Sequence, residues 1–530
     1  MSMKMLTIAQ ITGTAAGYLG VTLLLPYLAL RKKLTGLAAP ARYMAYFVAG
    51  NFYIINLVLV LQLLHISSRW TLALGTVLPF IVTGAARHRN HFMETAEHWA
   101  LNLRLAAEGQ KGKKTILLRL GTRLRNWRWL RPRGLDIIFT LGICILVLYM
   151  YGSNTVNVYG YCASDMVMHN YWINEMGQNH IFVDGIYPFG FHCVIYYLYE
   201  VFGIPVYVLL RVFGVVQTLM IHMMLLLFLK ALCKSRYAPY IGTVVYIMSD
   251  VFYEYTYYRY YAALPQEFGM LFILPAGCFC LAFLRKREFA GRLAREIGLI
   301  FFALSVSLTL TAHFYDTAVA GLLCVGIGTG YCFRCFRWRY LKRLAIAGVT
   351  GILLSVLPMA AAYVGGTPLQ ASLYWGMSTI SSDSQEDIQE GSASDGAAVE
   401  EEAASEKESP LDAVCEMVEY YTINKGVVTP QFIVGSIGAL FLLGVLWIVL
   451  RKADYGATLI AVSVFTGLLA LLQASGRLGL PGLLEVSRYS IYLAYGIAAV
   501  WSLCADGVLL LLFKGEKLLK ISSAAALAAA

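Results

Sequence analysis

Charge is what this sequence has least of. Only 14% of its 530 residues are Asp, Glu, Lys or Arg, against roughly a quarter in soluble domains. That shortage excludes a cytosolic enzyme, and a 59% hydrophobic content excludes a disordered chain. No Walker loop, no GxGxxG after a strand and no HExxH occurs, which removes support for a nucleotide-driven pump and a zinc protease. No repeat of 20–50 residues is visible. The 11 cysteines are scattered, mostly inside apolar runs where Cys acts as a small hydrophobe, so a disulfide-stapled module is excluded. Cys332 and Cys335 form a CxxC at a helix end, but it lacks the second pair that a structural zinc needs.

Long apolar runs are what the chain has instead, with a mean hydropathy of +0.64. At about 20 residues per span, they predict about thirteen membrane helices. The candidates cover 6–30, 41–64, 69–86, 135–151, 205–229, 238–252, 264–284, 297–312, 318–334, 344–363, 431–450, 456–474 and 487–513. The first run is long and ends in Arg31, Lys32 and Lys33, so it reads as a retained span rather than a cleaved signal.

The net charge of +11 is unevenly placed. Between Asp383 and Asp412 there are 11 acids against Lys407 alone, a local charge of −10 that leaves +21 for the remainder. Nucleic acid is a poor explanation for that basic excess, because Lys and Arg mark cytoplasmic loops in a polytopic chain. With Arg31–Lys33 placed inside and the spans alternating, every strongly basic connection falls on that side. These connections are 87–134, Lys230 to Arg236, Arg285 to Arg295, Arg334 to Arg343, Arg451 with Lys452, and Lys514 to Lys520. Loop 87–134, with 12 Lys and Arg against three Glu plus Trp127 and Trp129, is expected to lie on the inner membrane surface and adhere to anionic lipid. The outer side receives loops 152–190, 253–263 and 364–430; the acidic tract in the last reads as a disordered, solvated linker. The stretch 189–202 is apolar but too short to span, and reads as an interfacial or half-inserted helix.

Five polar clusters fall on the outer side. In the first, Asp165, His169 and Trp172 share one face of a helix, either as a surface carboxylate–imidazole pair or as a general base with an imidazole beside it. The second is the turn Tyr187-Pro188-Phe189-Gly190-Phe191-His192, which places His192 at the start of an apolar helix. The third is the Tyr-rich run 253–261 followed by Pro265-Gln266-Glu267. Its tyrosines read as an aromatic belt or as the stacking wall of a sugar site, and Arg259 and Glu267 are its site candidates. The fourth is His313-Phe314-Tyr315-Asp316, between two spans with no room for a loop. The fifth is Glu485-Val486-Ser487-Arg488-Tyr489, where Arg488 opens the last span, as a phosphate ligand or as an ion-pair partner of Glu485.

The order of these parts resembles the GT-C superfamily of integral-membrane glycosyltransferases, which take sugar from a polyprenyl-phosphate carrier. An acidic residue heads a large outer loop (Asp165 in SDMVMH), and a YPxGxH-like turn follows (Tyr187, Pro188, Gly190, His192). An arginine comes after a Gly-containing turn (Gly203, Arg211), and a late Arg-Tyr opens a span (Arg488, Tyr489). Three extra spans precede the usual first one, and no soluble C-terminal domain is evident.

The resemblance implies an all-α, GT-C-like polytopic fold with short interfacial helices in an outer loop. Residues 1–134 form a three-span extension with its basic loop, 135–363 the catalytic membrane core, 364–430 the outer loop, and 431–521 a C-terminal three-span bundle. The low-complexity tail 522–530 is set aside. It further implies transfer of a sugar from a polyprenyl-phosphate-linked donor to an extracytoplasmic glycan, lipid or protein acceptor at the plasma membrane. Asp165 would be the base, tuned by His169. Tyr187, His192, Arg259, Glu267, His313, Asp316, Arg488 and Tyr489 would bind substrate. Some members use a divalent metal, for which Asp165, Glu267 and Asp316 are available, although their spacing demands none. The rival reading is a transporter or a lipid or polysaccharide flippase, which would place ionisable groups near the midplane.

Overall fold

The computed structural model describes residues 2–79, 81, 130–252, 259–285, 292–371, 409–422, 428–450 and 453–512. The basic loop up to residue 129, the tyrosines of 253–258, the acidic tract over 372–408, Arg451 with Lys452, and the basic run and tail after 512 lie outside these residues.

Inside hydrocarbon a backbone can satisfy its polar groups only against itself, so apolar runs become helices. Among the described residues there is no strand, only one isolated parallel bridge between Ile186 and Leu369. The helices are α1 (Met3–Leu30, with a π-helical turn at Gly20–Leu24), α2 (Ala39–Leu63), α3 (69–79), α4 (Leu130–Asn157), α5 (Asp165–Glu175), α6 (Gly190–Phe202), α7 (Val206–Leu232) and α8 (Ala238–Phe252). They continue with α9 (Pro265–Leu284), α10 (Arg292–Ala312), α11 (Phe314–Gly330), α12 (Cys332–Cys335), α13 (Trp338–Val364), α14 (Pro410–Thr422), α15 (Pro430–Val449), α16 (Ala453–Gln473) and α17 (Tyr489–Leu512).

Ten of them, α1, α2, α4, α7, α9, α10, α13, α15, α16 and α17, are long and apolar enough to cross a membrane. Their exposed faces are greasy: Ile137, Ile138, Leu141 and Ile145 of α4 and Ile346, Val349, Leu353 and Leu357 of α13 all point outward. Apolar stripes of that extent belong against lipid, and the protein has multi-pass membrane character. The expected spans at 238–252 and 318–334 correspond to the shorter apolar helices α8 and α11. The expected span 69–86 begins as α3 and then leaves the described residues. Helix α4 starts five residues earlier than the expected span at 135 and runs six beyond its end at 151, into the expected outer loop.

The bundle has two chemically different ends. At one end Arg285 ties four helices together: its guanidinium donates to the Ala231 carbonyl of α7 (2.7 Å), the Tyr331 hydroxyl just past α11 (3.1 Å) and the Thr458 hydroxyl of α16 (2.6 Å). Arg236 pairs with Asp136 (2.5 Å), Arg334 with Asp454 and Arg343 with Glu296 (2.7 Å each) at the same end. The backbone N–H groups of Lys234 and Ser235 converge on the Asp506 carboxylate (2.8 and 2.6 Å). The opposite end gathers the N-termini of α9, α11 and α17 and the C-terminus of α10. Thus α8 carries the chain from the basic end to Arg259, and α11 carries it back from His313 to Arg334. Close packing lets α11 do so: an added Cβ at Gly326 or Gly330 would fall 2.7 or 2.2 Å from carbonyl oxygens of α16, a small-residue contact typical of membrane helix pairs.

Helix α9 is the central post. Every residue of it is buried, against α2, α6, α7, α10 and α11. Helix α6 is about 20 Å long, too short to cross. Gly190 to Leu198 are all buried, among α2, α5, α7, α9 and α10. Helices α4 and α7 run antiparallel, Gly152 beside Val215 and Cys144 beside Met223, so the whole stretch 158–205 stays at one end. The expected half-inserted helix is therefore a short helix sheltered by protein, which is where such segments are tolerated at membrane depth.

Candidate functional site

Proline at the second position of the YP turn and the left-handed glycine before it set the geometry of the first wall. Gly185 has φ +109°, and a Cβ there would meet Pro368 and Gln370 at 2.9 Å. That close approach lets Ile186 exchange hydrogen bonds with Pro368 and Gln370 (2.8 and 3.1 Å), clamping the 367–371 segment over Tyr187. Helix α5 begins at Asp165 and buries His169 and Trp172 on the face toward α6. The Trp172 indole donates to Asp184 (2.5 Å), and its ring packs at a tilt against Tyr187, centroids 5.3 Å apart.

These elements enclose a cavity of about 460 Å³ at the end of the bundle opposite Arg285, a size common for small-ligand sites (about 300–1,000 Å³). Asp165, His169 and Tyr187 line one side, and Arg259, Leu264, Pro265 and Gln266 the floor. His313, Phe314 and Tyr315 line a third wall, and Glu485, Arg488 and Ala371 close it.

Two arginines meet on one amide. Arg259 donates through Nε to Glu267 and through Nη2 to Gln266 Oε1 (3.2 Å). Arg488 donates through Nη1 to the same oxygen (3.1 Å) and through Nε to Glu485 (3.1 Å). The Gln266 amide then donates to the Tyr492 hydroxyl (3.0 Å), which donates to Asp316 (2.9 Å). Pro265 at the first position of α9 fixes the turn that aims Gln266 and Glu267, and Glu267 in the first turn complements the helix dipole. Glu267 and Asp316 are fully buried behind the wall, and one oxygen of each has no hydrogen-bond partner among the described residues. Gly269 makes the space: a Cβ there would sit 2.0 Å from Asp316 Oδ2.

The imidazoles are held neutral. Burial lowers His169 to about 4, although Asp165 pulls the other way. Burial and the His169 ring hold His192 well below its usual range. His192 Nε2 and His169 Nδ1 are 3.1 Å apart, and the other His192 nitrogen donates to the Pro188 carbonyl. Two neutral rings satisfy this only if His169 donates from Nδ1, so its Nε2 carries a lone pair. His313 is lowered to about 3 by burial, then by Arg488, Arg259 and His169. Its neutral Nδ1 accepts from the Tyr315 N–H (3.3 Å) and caps α11. Burial pushes the Tyr187 hydroxyl above its usual range.

Of the residues expected from sequence, Asp165, His169, Tyr187, Arg259, His313 and Arg488 line this cavity. His192, Glu267 and Asp316 form its second layer. Tyr489 does not line it: its hydroxyl accepts from the Leu483 N–H (3.2 Å) and anchors the preceding loop. Arg211 lies elsewhere, against α1. Asp165 and His169 both line the cavity and Asp165 acts electrostatically on the ring, but the hydrogen bond of His169 goes inward to His192, while Asp165 is exposed and accepts from Ser164 (3.4 Å). Arg488 makes the Glu485 ion pair and also reaches the cavity floor. Gln266, Tyr492 and Asp184 were not site candidates in the sequence. Tyr492 had a signal, lying four residues after Arg488 on one helix face. Among the described residues no three His, Cys, Asp or Glu come together as they would around a metal ion, and Asp165, Glu267 and Asp316 are not gathered into such a group.

Compared with known proteins, the chain matches no family model and no curated sequence.

Proposed function

We propose that the protein is a membrane glycosyltransferase of GT-C type, moving a sugar from a polyprenyl-phosphate carrier to an extracytoplasmic acceptor. The observation that carries this reading is the meeting of the exposed Asp165 carboxylate, which makes no ion pair among the described residues, with the guanidinium groups of Arg259 and Arg488 in a single cavity at one end of an apolar bundle. A lipid-linked donor has its reacting atoms at the membrane boundary, and such a cavity meets them there.

In this reading thirteen spans cross the membrane: the ten long helices, α8, α11 and the stretch begun by α3. The basic end is cytoplasmic and the cavity end faces outward, following the Lys and Arg bias. The anionic carrier phosphate docks on Arg488. Glu485 is the more exposed partner of that arginine, 42% against 22%, so a phosphate oxygen replaces it while the Glu485 carboxylate returns to water. Arg259 stays fixed by buried Glu267 and holds Gln266 in place. Asp165 takes the proton of the acceptor hydroxyl as that oxygen attacks the anomeric carbon, and the carbon–oxygen bond to phosphate breaks with its electrons on the phosphate. The neutral rings of His169 and His313 and the aromatic faces of Tyr187, Phe314 and Tyr315 surround the sugar. A transporter is less well supported, because the charged groups of the cavity sit at one end of the bundle.

The test is release of polyprenyl phosphate from a panel of polyprenyl-phosphate hexoses and pentoses by the purified protein in lipid. Wild type is expected to turn over at least one donor and Asp165→Asn to lose that turnover. Absence of both donor binding and turnover across the panel would overturn the reading.

A further inference from the structure

A second cavity, of about 420 Å³, opens between α1 and α7 and shares no lining residue with the first. Its polar wall is Arg211, about 8 Å along the axis from the start of α7. One guanidinium nitrogen donates to Thr7 (3.1 Å) and Gln10 (2.6 Å) of α1, and the group lies 5.5 Å from the centre of the Tyr159 ring. Every one of these partners is neutral. Arg236, Arg259, Arg334, Arg343, Arg477 and Arg488 each pair with a carboxylate. Arg211 has no such pair among the described residues, and its Nε is buried without a hydrogen-bond partner.

A partly buried cation held only by neutral groups is left to be balanced by an anion that enters the cavity. The remainder of the cavity specifies what kind of anion. Met3 and Leu6 of α1 and Tyr207 of α7 line it and are 55%, 40% and 59% exposed, on the outer surface of the bundle. Tyr159 and Tyr161 add rings of the sort that settle at headgroup level. The planar fork of an arginine facing a cavity at that level suits the oxygens of a phosphate. We propose that this pocket binds the phosphodiester of an anionic membrane phospholipid on Arg211, with the acyl chains lying along α1, apart from the cavity of Asp165.

The full chain, purified in detergent and stripped of lipid, is titrated with dioctanoyl phosphatidylglycerol, with dioctanoylglycerol, which lacks the phosphate, and with inorganic phosphate. Native mass spectrometry reads binding and a thermal shift reads stabilisation. The phosphatidylglycerol is expected to bind and stabilise, the other two to do neither at equal concentration. Arg211→Gln is expected to weaken lipid binding about ten- to a hundredfold, the usual worth of a charged hydrogen bond. Leu6→Trp fills the cavity while leaving the contacts of Arg211 intact, and is expected to abolish binding; it decides the question alone if Arg211→Gln fails to fold. Unchanged phosphatidylglycerol binding in Leu6→Trp overturns the proposal. An equal response to inorganic phosphate also overturns it, assigning the pocket to a soluble anion.

Discussion

Arg259 and Arg488 donate to the same oxygen, Gln266 Oε1, at 3.2 and 3.1 Å. One approaches from the segment before α9 and the other from the start of α17, and the amide holds two like charges side by side. Each is balanced separately, Arg259 by buried Glu267 and Arg488 by half-exposed Glu485. The pair is thus asymmetric, with one fixed member and one exchangeable member.

That asymmetry predicts different losses at Arg488. Arg488→Ala should weaken binding of a polyprenyl-phosphate sugar about ten- to a hundredfold. Arg488→Lys should recover only part, because it keeps the charge without the planar fork. Wild-type affinity in both variants, measured by titration in nanodiscs, would remove Arg488 from phosphate binding.

Asp165 is exposed, and among the described residues its hydrogen bond goes to exposed Ser164, so Asp165→Asn should leave the melting temperature nearly unchanged. It should lower transfer about a hundred- to ten-thousand-fold, the usual loss with a general base, while donor binding persists. Near-normal turnover in this variant would place the base elsewhere.

The buried imidazoles predict a pH dependence of stability. An unfolded histidine titrates near about 6.5, whereas burial holds His169 at about 4 and His192 well below its usual range. The unfolded chain therefore binds more protons as acid is added. Their contribution is complete above pH ~6.5 and is lost as the pH falls toward 4, by up to about 3 kcal/mol for His169 alone. His313, lowered to about 3, adds to the loss in the same direction. Thermal unfolding in detergent from pH 7.5 to 4.5 should show this decline, and His169→Gln should make it shallower, with His192 and His313 carrying the rest. An unchanged slope in that variant would mean that His169 is not held neutral.

Gly269 is predicted to tolerate no side chain. Gly269→Ala places a methyl 2.0 Å from Asp316 Oδ2 and should cost about 2 kcal/mol by overpacking. Adding Asp316→Ala should return part of that stability. If the double variant is less stable than the sum of the single ones, the clash is not the cause.

The proposed orientation makes a prediction independent of chemistry. Single cysteines at Gln110 or Arg337, in a cysteine-free background, should resist a membrane-impermeant maleimide in intact cells, and one at Gly366 should react. Labelling at Gln110 from outside would reverse the assignment.

Much of the architecture was legible because apolar run length and the side taken by Lys and Arg are both properties of the local sequence. Alternating spans bring the ends of distant segments together, and that is why Asp165, Arg259, His313 and Arg488 could be grouped before any coordinates. The pairings among them were not legible. The i, i+4 spacing suggested Asp165 with His169, but α6 brings His192 against that ring from 23 residues away, and a tertiary contact between two neutral imidazoles has no local signature. Gln266 escaped notice because it is uncharged, although it organises both arginines. Helix α8 coincides with the expected run at 238–252, whereas α11 starts and ends four residues before the expected 318–334; its last residue, Gly330, lies against the α16 backbone, a contact that periodicity does not record.

Pro265, Gln266 and Glu267 stand on α9, the helix that has no outward face. The floor of the cavity is therefore anchored to a post insulated from the bilayer, while α4 and α13, with only 17% of their apolar windows buried, are among the helices that face lipid. Changes in bilayer thickness or acyl composition are expected to act first on such lipid-facing helices, and α4 has a direct route to the cavity floor through Tyr151, whose ring lies 5.6 and 6.4 Å from those of Tyr260 and Tyr261, just after Arg259. The cavity opens at one end of the bundle, yet its reference frame belongs to the protein interior.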